Sequence, residues 1–243
     1  MRLPFNNKTK KFWILLPTFL VAELCLWCLI LFGEHEGTEL SVFCFSSIVL
    51  AFVFALCFIK RKAEILLPCG GLLFTVCADS CLVLPQNLQY THQVAGMSFF
   101  SVTQLIYFAY LFIKTENKTL RITHSIARAA SVVIAEIAML IVLKTNADAL
   151  SALSVFYIAN LAVSIVFAYM QGKKGLLFAI GLTLFICCDL FVGFSAAIGE
   201  YIHIAESSWL YKLVYSDFNF IWFFYLPSQV CIATYIALKS EKK

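Results

Sequence analysis

The sequence predicts an all-α, polytopic membrane protein with eight transmembrane helices. Three observations support this prediction: the composition, eight long apolar runs and an alternating distribution of basic residues. Hydrophobic residues make up 62% of the 243 residues and charged residues only 13%, whereas a soluble domain carries roughly a quarter charged residues. A chain of this size has too little interior to hide so much apolar surface from water. We therefore expect the lipid bilayer to surround it.

Eight apolar runs are each long enough for a helix to cross the membrane, which takes roughly 20 mostly apolar residues. The runs lack the alternation of apolar and polar residues found in barrel strands. We treat residues 1–243 as one transmembrane domain. We expect no cleavable signal peptide, because the first run is long and has no small-residue cleavage site. In chain order the runs are Phe12–Phe32, Leu40–Ile59, Ile65–Leu84, Gln93–Ile113, Ile126–Leu143, Ala149–Met170, Leu176–Gly199 and Asp217–Leu238.

The positions of lysine and arginine support the count of eight. The N-terminus, every second connection and the C-terminal tail hold 16 of the 18 basic residues, whereas the other connections hold only Lys144 and Lys212. This count places Arg128 in the fourth connection. Basic residues concentrate on the cytoplasmic side of membrane proteins, so both termini are expected to be cytoplasmic. Because these residues sit in short loops without a basic arm, we do not expect nucleic-acid binding.

Helices three and seven carry similar segments. Residues 71–79 read GLLFTVCAD and residues 181–189 read GLTLFICCD, so that glycine, leucine, cysteine and aspartate coincide. Gln104 on helix four and Gln229 on helix eight lie equally far from the cytoplasmic ends of their helices. The pattern predicts a parallel repeat of two four-helix halves, 12–113 and 126–238. Similar composition of the two helices is the alternative explanation.

Four acidic residues inside the apolar runs require explanation, because an aspartate at the bilayer centre costs roughly 2.5–3.5 kcal/mol. They are Glu23, Asp79, Glu136 and Asp189. At about 1.5 Å rise per residue, both aspartates lie roughly 20 Å from the cytoplasmic ends of their helices. With no basic residue expected in the membrane, desolvation and repulsion favour a shared proton. Such a pair supplies one acid and one base. For the two glutamates we favour a structural role in interhelical hydrogen bonding.

Other polar residues are predicted at a similar depth. Helical spacing puts Tyr107 on the face of Gln104 and Tyr225 on the face of Gln229, and Asn160 lies midway along helix six. A polar belt is therefore expected across the bundle. We expect no metal or other cofactor, because a zinc site needs clustered ligands and all four histidines are predicted in loops or at helix ends. These histidines are His35, His92, His124 and His203.

These motifs resemble the YhhN family, which includes the animal lysoplasmalogenases. The similarity spans helices three to eight. The segments that carry it are GLLFTVCADSCL at 71–82, GMSFFSVTQLIY at 96–107, FICCDL at 185–190 and YLPSQ at 225–229.

The resemblance implies hydrolysis of the vinyl ether bond of a lysoplasmalogen, or of a related single-chain lipid, with release of a fatty aldehyde. Asp79 and Asp189 then act as catalytic acid and base. A neutral carboxyl protonates the enol-ether carbon, while its ionised partner stabilises the oxocarbenium ion and activates water. The substrate and the water are positioned by Gln104, Tyr107, Tyr225, Gln229 and Asn160. The expected location is a bacterial cell membrane.

The sequence also departs from the family pattern. Gln104 stands where animal members carry histidine, and Ala78 and Cys188 replace the glycine and serine before the aspartates. Glutamine cannot shuttle a proton, so slow, altered or absent activity is one expectation. The alternative function is a transporter or lipid-binding protein that uses the same polar belt. A zinc amidase similar to the alkaline ceramidases is the third hypothesis.

Overall fold

A computed structural model describes residues 7–85, 87–200 and 204–241, and within these ranges the chain is helical without strands. Eight of the helices are long and apolar enough to cross a membrane. The predictions of an all-α fold and of eight spans are confirmed, and the protein is an integral multi-pass membrane protein. The α-helices are α1 (Asn7–Phe32), α2 (Gly37–Leu56), α3 (Ala63–Leu82), α4 (Tyr90–Lys114), α5 (Lys118–Leu143), α6 (Ala149–Met170), α7 (Leu176–Glu200), the short α8 (Trp209–Val214) and α9 (Phe220–Glu241).

The fifth span begins earlier than the sequence predicts. Its apolar run begins at Ile126, but α5 begins at Lys118. The Asn117 side chain caps this helix by accepting a hydrogen bond from the backbone N–H of Leu120 at 3.2 Å, as N-cap residues do. The polar stretch 118–125 therefore forms the first two turns of the helix and not a connection. Placing Arg128 in a connection was wrong, since it lies within the span.

Two glycines allow neighbouring spans to approach closely. A Cβ atom at Gly71 of α3 would overlap the Tyr107 ring on α4. One at Gly181 of α7 would lie 2.8 Å from Ile232 Cγ1 and 3.1 Å from the Ser228 carbonyl oxygen on α9. Small residues at such crossings are typical of membrane bundles. The α3–α4 and α7–α9 contacts are accordingly extensive, while the division into half-repeats stays a prediction.

The helices differ in how central they are. Helix α9 contacts α1, α2, α3 and α7, whereas α5 packs mainly on α6 and α1 packs on α2 and α9. The exposed side chains of α5 include Ile134, Ile137 and Ile141, as expected of a lipid-facing surface. The central helices α3, α4, α6, α7 and α9 bring together the polar residues described next.

Candidate active site

Asp79 and Tyr225 form a buried hydrogen-bonded pair between α3 and α9. The Tyr225 hydroxyl donates to Asp79 Oδ2 at 2.5 Å, and Asp79 is only 3% exposed. Asp79 lies in the last turn of α3, while Tyr225 lies in the second turn of α9. The antiparallel packing of these helices brings the two residues together, and we call them the sealed pair.

Asp189 and Tyr157 form a second pair of the same chemistry between α7 and α6. The Tyr157 hydroxyl donates to Asp189 Oδ2 at 2.6 Å. Tyr157 is buried, whereas Asp189 is partly exposed. We call these two residues the cavity pair, because both line a cavity described below.

The two pairs lie next to each other. The Asp189 carboxyl lies close enough to that of Asp79 for its charge to act on it. The Phe185 ring, one turn before Asp189, lies with its centroid 5.2 Å from that of Tyr225 and 6.1 Å from that of Tyr157. Within the part of the chain that the structure describes, neither aspartate forms an ion pair. Each carboxyl therefore accepts a hydrogen bond from its own tyrosine, and neither is neutralised by a cation among the described residues.

A cavity of about 370 Å³ leads to the cavity pair. It lies at the end of the bundle where α3 and α7 finish and α4, α6 and α9 begin. Ser154, Tyr157 and Asp189 supply its polar groups. The remaining wall is apolar and comes from α4, α6 and α7; it consists of Met97, Val155, Ile158, Leu190, Val192, Gly193 and Phe194. An apolar cavity with a few convergent polar groups is typical of a ligand site.

Three of the predicted belt residues are buried but do not hydrogen-bond to either aspartate. Tyr107 packs against Gly71, and its ring centroid lies 5.2 Å from that of Phe178. The Gln104 amide has no hydrogen-bond partner among the described residues. Gln229 donates through Nε2 to Ser228 Oγ at 3.0 Å. These residues line the interior away from the cavity pair, and their assigned role in positioning substrate stays a prediction.

Asn160 belongs to a different group of polar residues, which we call the arginine cluster. Arg128 Nη1 donates to Asn160 Oδ1 at 2.6 Å, and Nη2 donates to Ser164 Oγ at 2.7 Å. His124 Nε2 lies 3.4 Å from Arg128 Nη2. Arg128 Cζ also lies 4.5 Å from the centroid of the Phe108 ring, a cation–π contact. The structure thus places Asn160 against α5 and not against the aspartates.

The arginine cluster corrects two expectations. A basic residue does lie within the membrane span, because Arg128 is 6% exposed inside α5. A histidine is buried as well, since His124 is fully enclosed. His203 lies outside the described residues. No three His, Cys, Asp or Glu side chains are grouped as metal ligands within the described ranges.

Sequence reasoning missed Tyr157 and the arginine cluster. Tyr157 lies three residues before Asn160 on the same helix, but its sequence context does not reveal that it faces Asp189. The sequence pattern of the arginine cluster is easier to recognise. His124 and Arg128 on α5, and Asn160 and Ser164 on α6, are polar pairs at the i,i+4 spacing that places side chains on one helix face.

Comparison with known proteins identifies the family. The model of the YhhN family matches residues 40–236, from α2 into α9. No curated protein and no solved structure matches the chain. The match covers most of the chain, which therefore belongs to the YhhN family.

Proposed function

We propose that this member of the YhhN family is a membrane-embedded hydrolase that cleaves the vinyl ether bond of a lysoplasmalogen or a related single-chain lipid. The observation that carries the proposal is the cavity pair: a carboxyl and a phenol at the polar end of an apolar cavity. A second carboxyl close behind interacts with the first. Ionisable residues within a membrane are functional candidates by default, because burying them is costly.

The apolar wall of the cavity suits a hydrocarbon chain, while the cavity pair suits the vinyl ether at the start of that chain. Asp189 lines the cavity and Asp79 does not. We therefore assign the proton transfers at the substrate to Asp189. Two interacting carboxyls without a cation hold one proton between them. The negative charge left on the pair stabilises the positive charge that develops on the substrate in the transition state.

The proposed reaction has three steps. Asp189 gives its proton to the vinyl carbon remote from the ether oxygen, and the π electrons of the double bond form the new C–H bond. The adjacent carbon becomes an oxocarbenium ion, which water attacks as Asp189 takes the water proton. In the last step Asp189 protonates the glycerol oxygen, which keeps the electrons of the breaking C–O bond, and takes back the proton of the hemiacetal hydroxyl as the carbonyl forms. A fatty aldehyde and a glycerophospho-alcohol are released.

Gln104 has no part in these transfers. Its amide hydrogen-bonds to none of the described residues, and glutamine has no proton to exchange. The mechanism routes every proton through the aspartates, so it accommodates glutamine at this position.

The same geometry also supports a transporter or lipid-binding protein as the second candidate. Both amide atoms of Gln104 and the Oε1 atom of Gln229 are buried without partners among the described residues. Unpaired amides in a membrane interior are suited to a polar ligand that passes or rests there. A transporter would move the lipid into proteoliposomes without forming aldehyde.

We further propose a bacterial cell membrane as the location, with both termini cytoplasmic. The distribution of basic residues supports this orientation. In it, the cavity lies in the outer half of the membrane. The orientation is tested with His35→Cys and Lys62→Cys in a variant whose native free cysteines are replaced by serine. Only His35→Cys should react with a membrane-impermeant thiol reagent in intact cells.

Aldehyde release from the purified protein in detergent tests the proposed activity. The expected product appears with a lysoplasmalogen and not with the matching saturated ether, which cannot form the oxocarbenium ion by protonation. Asp189→Asn should reduce release by about 10⁴-fold, to near the background. Glu136→Gln is the matched control, because Glu136 is a carboxyl in a span but does not line the cavity. Release that survives Asp189→Asn would show that the catalytic assignment is wrong.

A further inference from the structure

A second cavity, separate from the aspartates, lies between α1 and α9. Its volume is about 260 Å³. Most of its wall is apolar and includes Leu20, Leu24, Leu226 and Val230, while Glu23 and Trp27 on α1 supply polar atoms. It shares no lining residue with the cavity of Asp189.

Glu23 is a buried carboxyl that is only half satisfied. It is 4% exposed, and its Oε2 atom accepts a hydrogen bond from Ser47 Oγ on α2 at 2.5 Å. Its Oε1 atom is buried without a partner among the described residues. The hydrogen bond to Ser47 accounts for the structural role expected from the sequence, but it leaves one oxygen unexplained. A buried polar atom without a partner is costly and points to an absent group.

Trp27 adds a second unpaired group one turn further along α1. Its Nε1–H is buried and finds no acceptor in the described parts of the chain. Residues four apart lie on the same helix face, and both Glu23 and Trp27 line the cavity. A carboxyl oxygen and an N–H donor are thus left unpaired beside one apolar space.

We propose that this cavity binds the hydroxyl end of a single-chain lipid alcohol. A hydroxyl can accept from the Trp27 N–H and donate to Glu23 Oε1 at the same time. An ammonium group cannot accept a hydrogen bond, and a carboxylate or phosphate meets no basic residue on this cavity wall. The hydroxyl group therefore matches both unpaired atoms with a single ligand group.

The surroundings supply a route for the alkyl chain. Leu20 and Leu24 line the cavity and are also exposed on the surface of α1, which faces lipid in a membrane. The cavity is sized for the hydroxyl and the first part of a chain, and the remainder lies along α1 and α9 in the bilayer. The site goes beyond the proposed function, because it uses neither aspartate.

Photolabelling tests the proposal with the full chain in phosphatidylcholine vesicles, whose lipids carry no hydroxyl donor. The probe is a sixteen-carbon primary alcohol that carries a diazirine near the hydroxyl end. Labelled peptides are identified by mass spectrometry. We expect labelling concentrated on α1 and α9, with competition by unlabelled hexadecanol. The methyl ether of hexadecanol should compete poorly, because it cannot donate to Glu23.

Substitutions then test the two polar contacts. Trp27→Phe keeps an aromatic ring and removes the N–H, so labelling should fall about fivefold, the effect of one net hydrogen bond. Trp13→Phe is the matched control on the same helix, since Trp13 is exposed and does not line the cavity. Glu23→Gln provides a second variant that keeps the side-chain size, and it should also weaken labelling.

Three outcomes would overturn the proposal: equal labelling of Trp27→Phe and the unmodified chain, equal competition by the ether, or labels spread evenly over the lipid-facing helices. The test is independent of aldehyde release. Asp189→Asn should label normally, and a chain without hydrolase activity should still label if the site exists.

Discussion

The sealed pair and the cavity pair use the same tyrosine-to-aspartate hydrogen bond in different surroundings. Asp79 is 3% exposed and enclosed between α3 and α9, whereas Asp189 is partly exposed and lines a cavity. A carboxyl that lines a cavity can touch a ligand, while an enclosed one acts on that ligand only through its charge. The comparison therefore separates two roles within one acidic site.

Helix packing explains why the surroundings differ. Tyr225 belongs to α9, which is packed on four sides by α1, α2, α3 and α7. Tyr157 belongs to α6, which contacts α4, α5 and α7, and the cavity opens between α4, α6 and α7. The two aspartates therefore differ in the helix that their tyrosine partner belongs to: α9 packs over Asp79, whereas Asp189 lies beside α6 at the cavity.

The largest expected effect is the difference between the two aspartate substitutions. Asp189→Asn should reduce aldehyde release by about 10⁴-fold, because it removes the group that exchanges protons with the substrate. Asp79→Asn should reduce it by about 10²-fold, because it removes only the partner charge. Initial rates of the purified variants measure both values.

The order of these losses decides the assignment. Equal losses would mean that both carboxyls transfer protons, and a larger loss at Asp79 would reverse the roles. Comparing the unfolding midpoints of the two variants in detergent checks that a loss of rate is not a loss of folded protein.

The tyrosines should separate stability from activity. Tyr225→Phe leaves an enclosed carboxyl without its donor, so we expect the free energy of unfolding to fall by about 1–3 kcal/mol. Tyr157→Phe should cost under about 1 kcal/mol, since water in the cavity can hydrate Asp189. The main effect of Tyr157→Phe should be a lower rate of aldehyde release. Thermal unfolding together with initial rates measures the contrast, and a larger stability loss for Tyr157→Phe would contradict it.

Filling the cavity beside the cavity pair should weaken substrate binding. A Cβ at Gly193 would meet nothing within 4 Å, and Gly193 lines the cavity. Gly193→Leu should therefore occupy substrate space and raise KM about tenfold, while the helix gains roughly 0.5–1 kcal/mol. Gly70→Leu is the matched control, because that glycine also has open space but lies on α3 away from the cavity. An unchanged KM for Gly193→Leu would exclude this cavity as the substrate site.

The sequence was sufficient for the fold because the bilayer imposes simple rules. A span needs about 20 apolar residues, and basic residues mark the connections on one side. The error at α5 has a local cause. Residues 118–125 are polar enough to resemble a loop, but Asn117 caps them into a helix. Arg128 then donates to Asn160 and Ser164 on α6, and the His124 ring packs against Phe108 on α4.

The site was predicted only in part, because helix neighbours are a tertiary property. The similar segments of α3 and α7 predicted Asp79 and Asp189 at one depth, and Tyr225 was included among the residues of the belt. Tyr157 could not be assigned to Asp189, since no sequence pattern states that this face of α6 meets α7. Asn160 was assigned to the belt from depth alone, and depth does not distinguish α5 from α7 as its neighbour.

The smallest expected effect concerns the caps of the helices that carry the two tyrosines. Asp148 caps α6 and accepts from the backbone N–H of Ser151 at 2.8 Å. Asn219 precedes α9, and its side-chain oxygen accepts a hydrogen bond from the backbone N–H of Trp222 at 3.3 Å. The hydrogen bonds from Ser151 lower the pKa of Asp148 below its usual value of 3.8. Only the cap of α6, which carries Tyr157, therefore depends on pH.

The sign of this dependence follows from the lowered pKa. The stabilisation by Asp148 is fully present above its unfolded-state pKa and is lost as the pH falls through the lower folded-state value. Asp148→Ala should cost about 1 kcal/mol of unfolding free energy at pH 7, and the cost should shrink as the pH falls below 3.8. Asn219→Ala should lower the free energy of unfolding by a similar amount at neutral and at acidic pH, because the side-chain amide does not titrate in this range. Unfolding in detergent at neutral and acidic pH measures both variants, and equal pH dependence of the two would show that the charge of Asp148 does not stabilise α6.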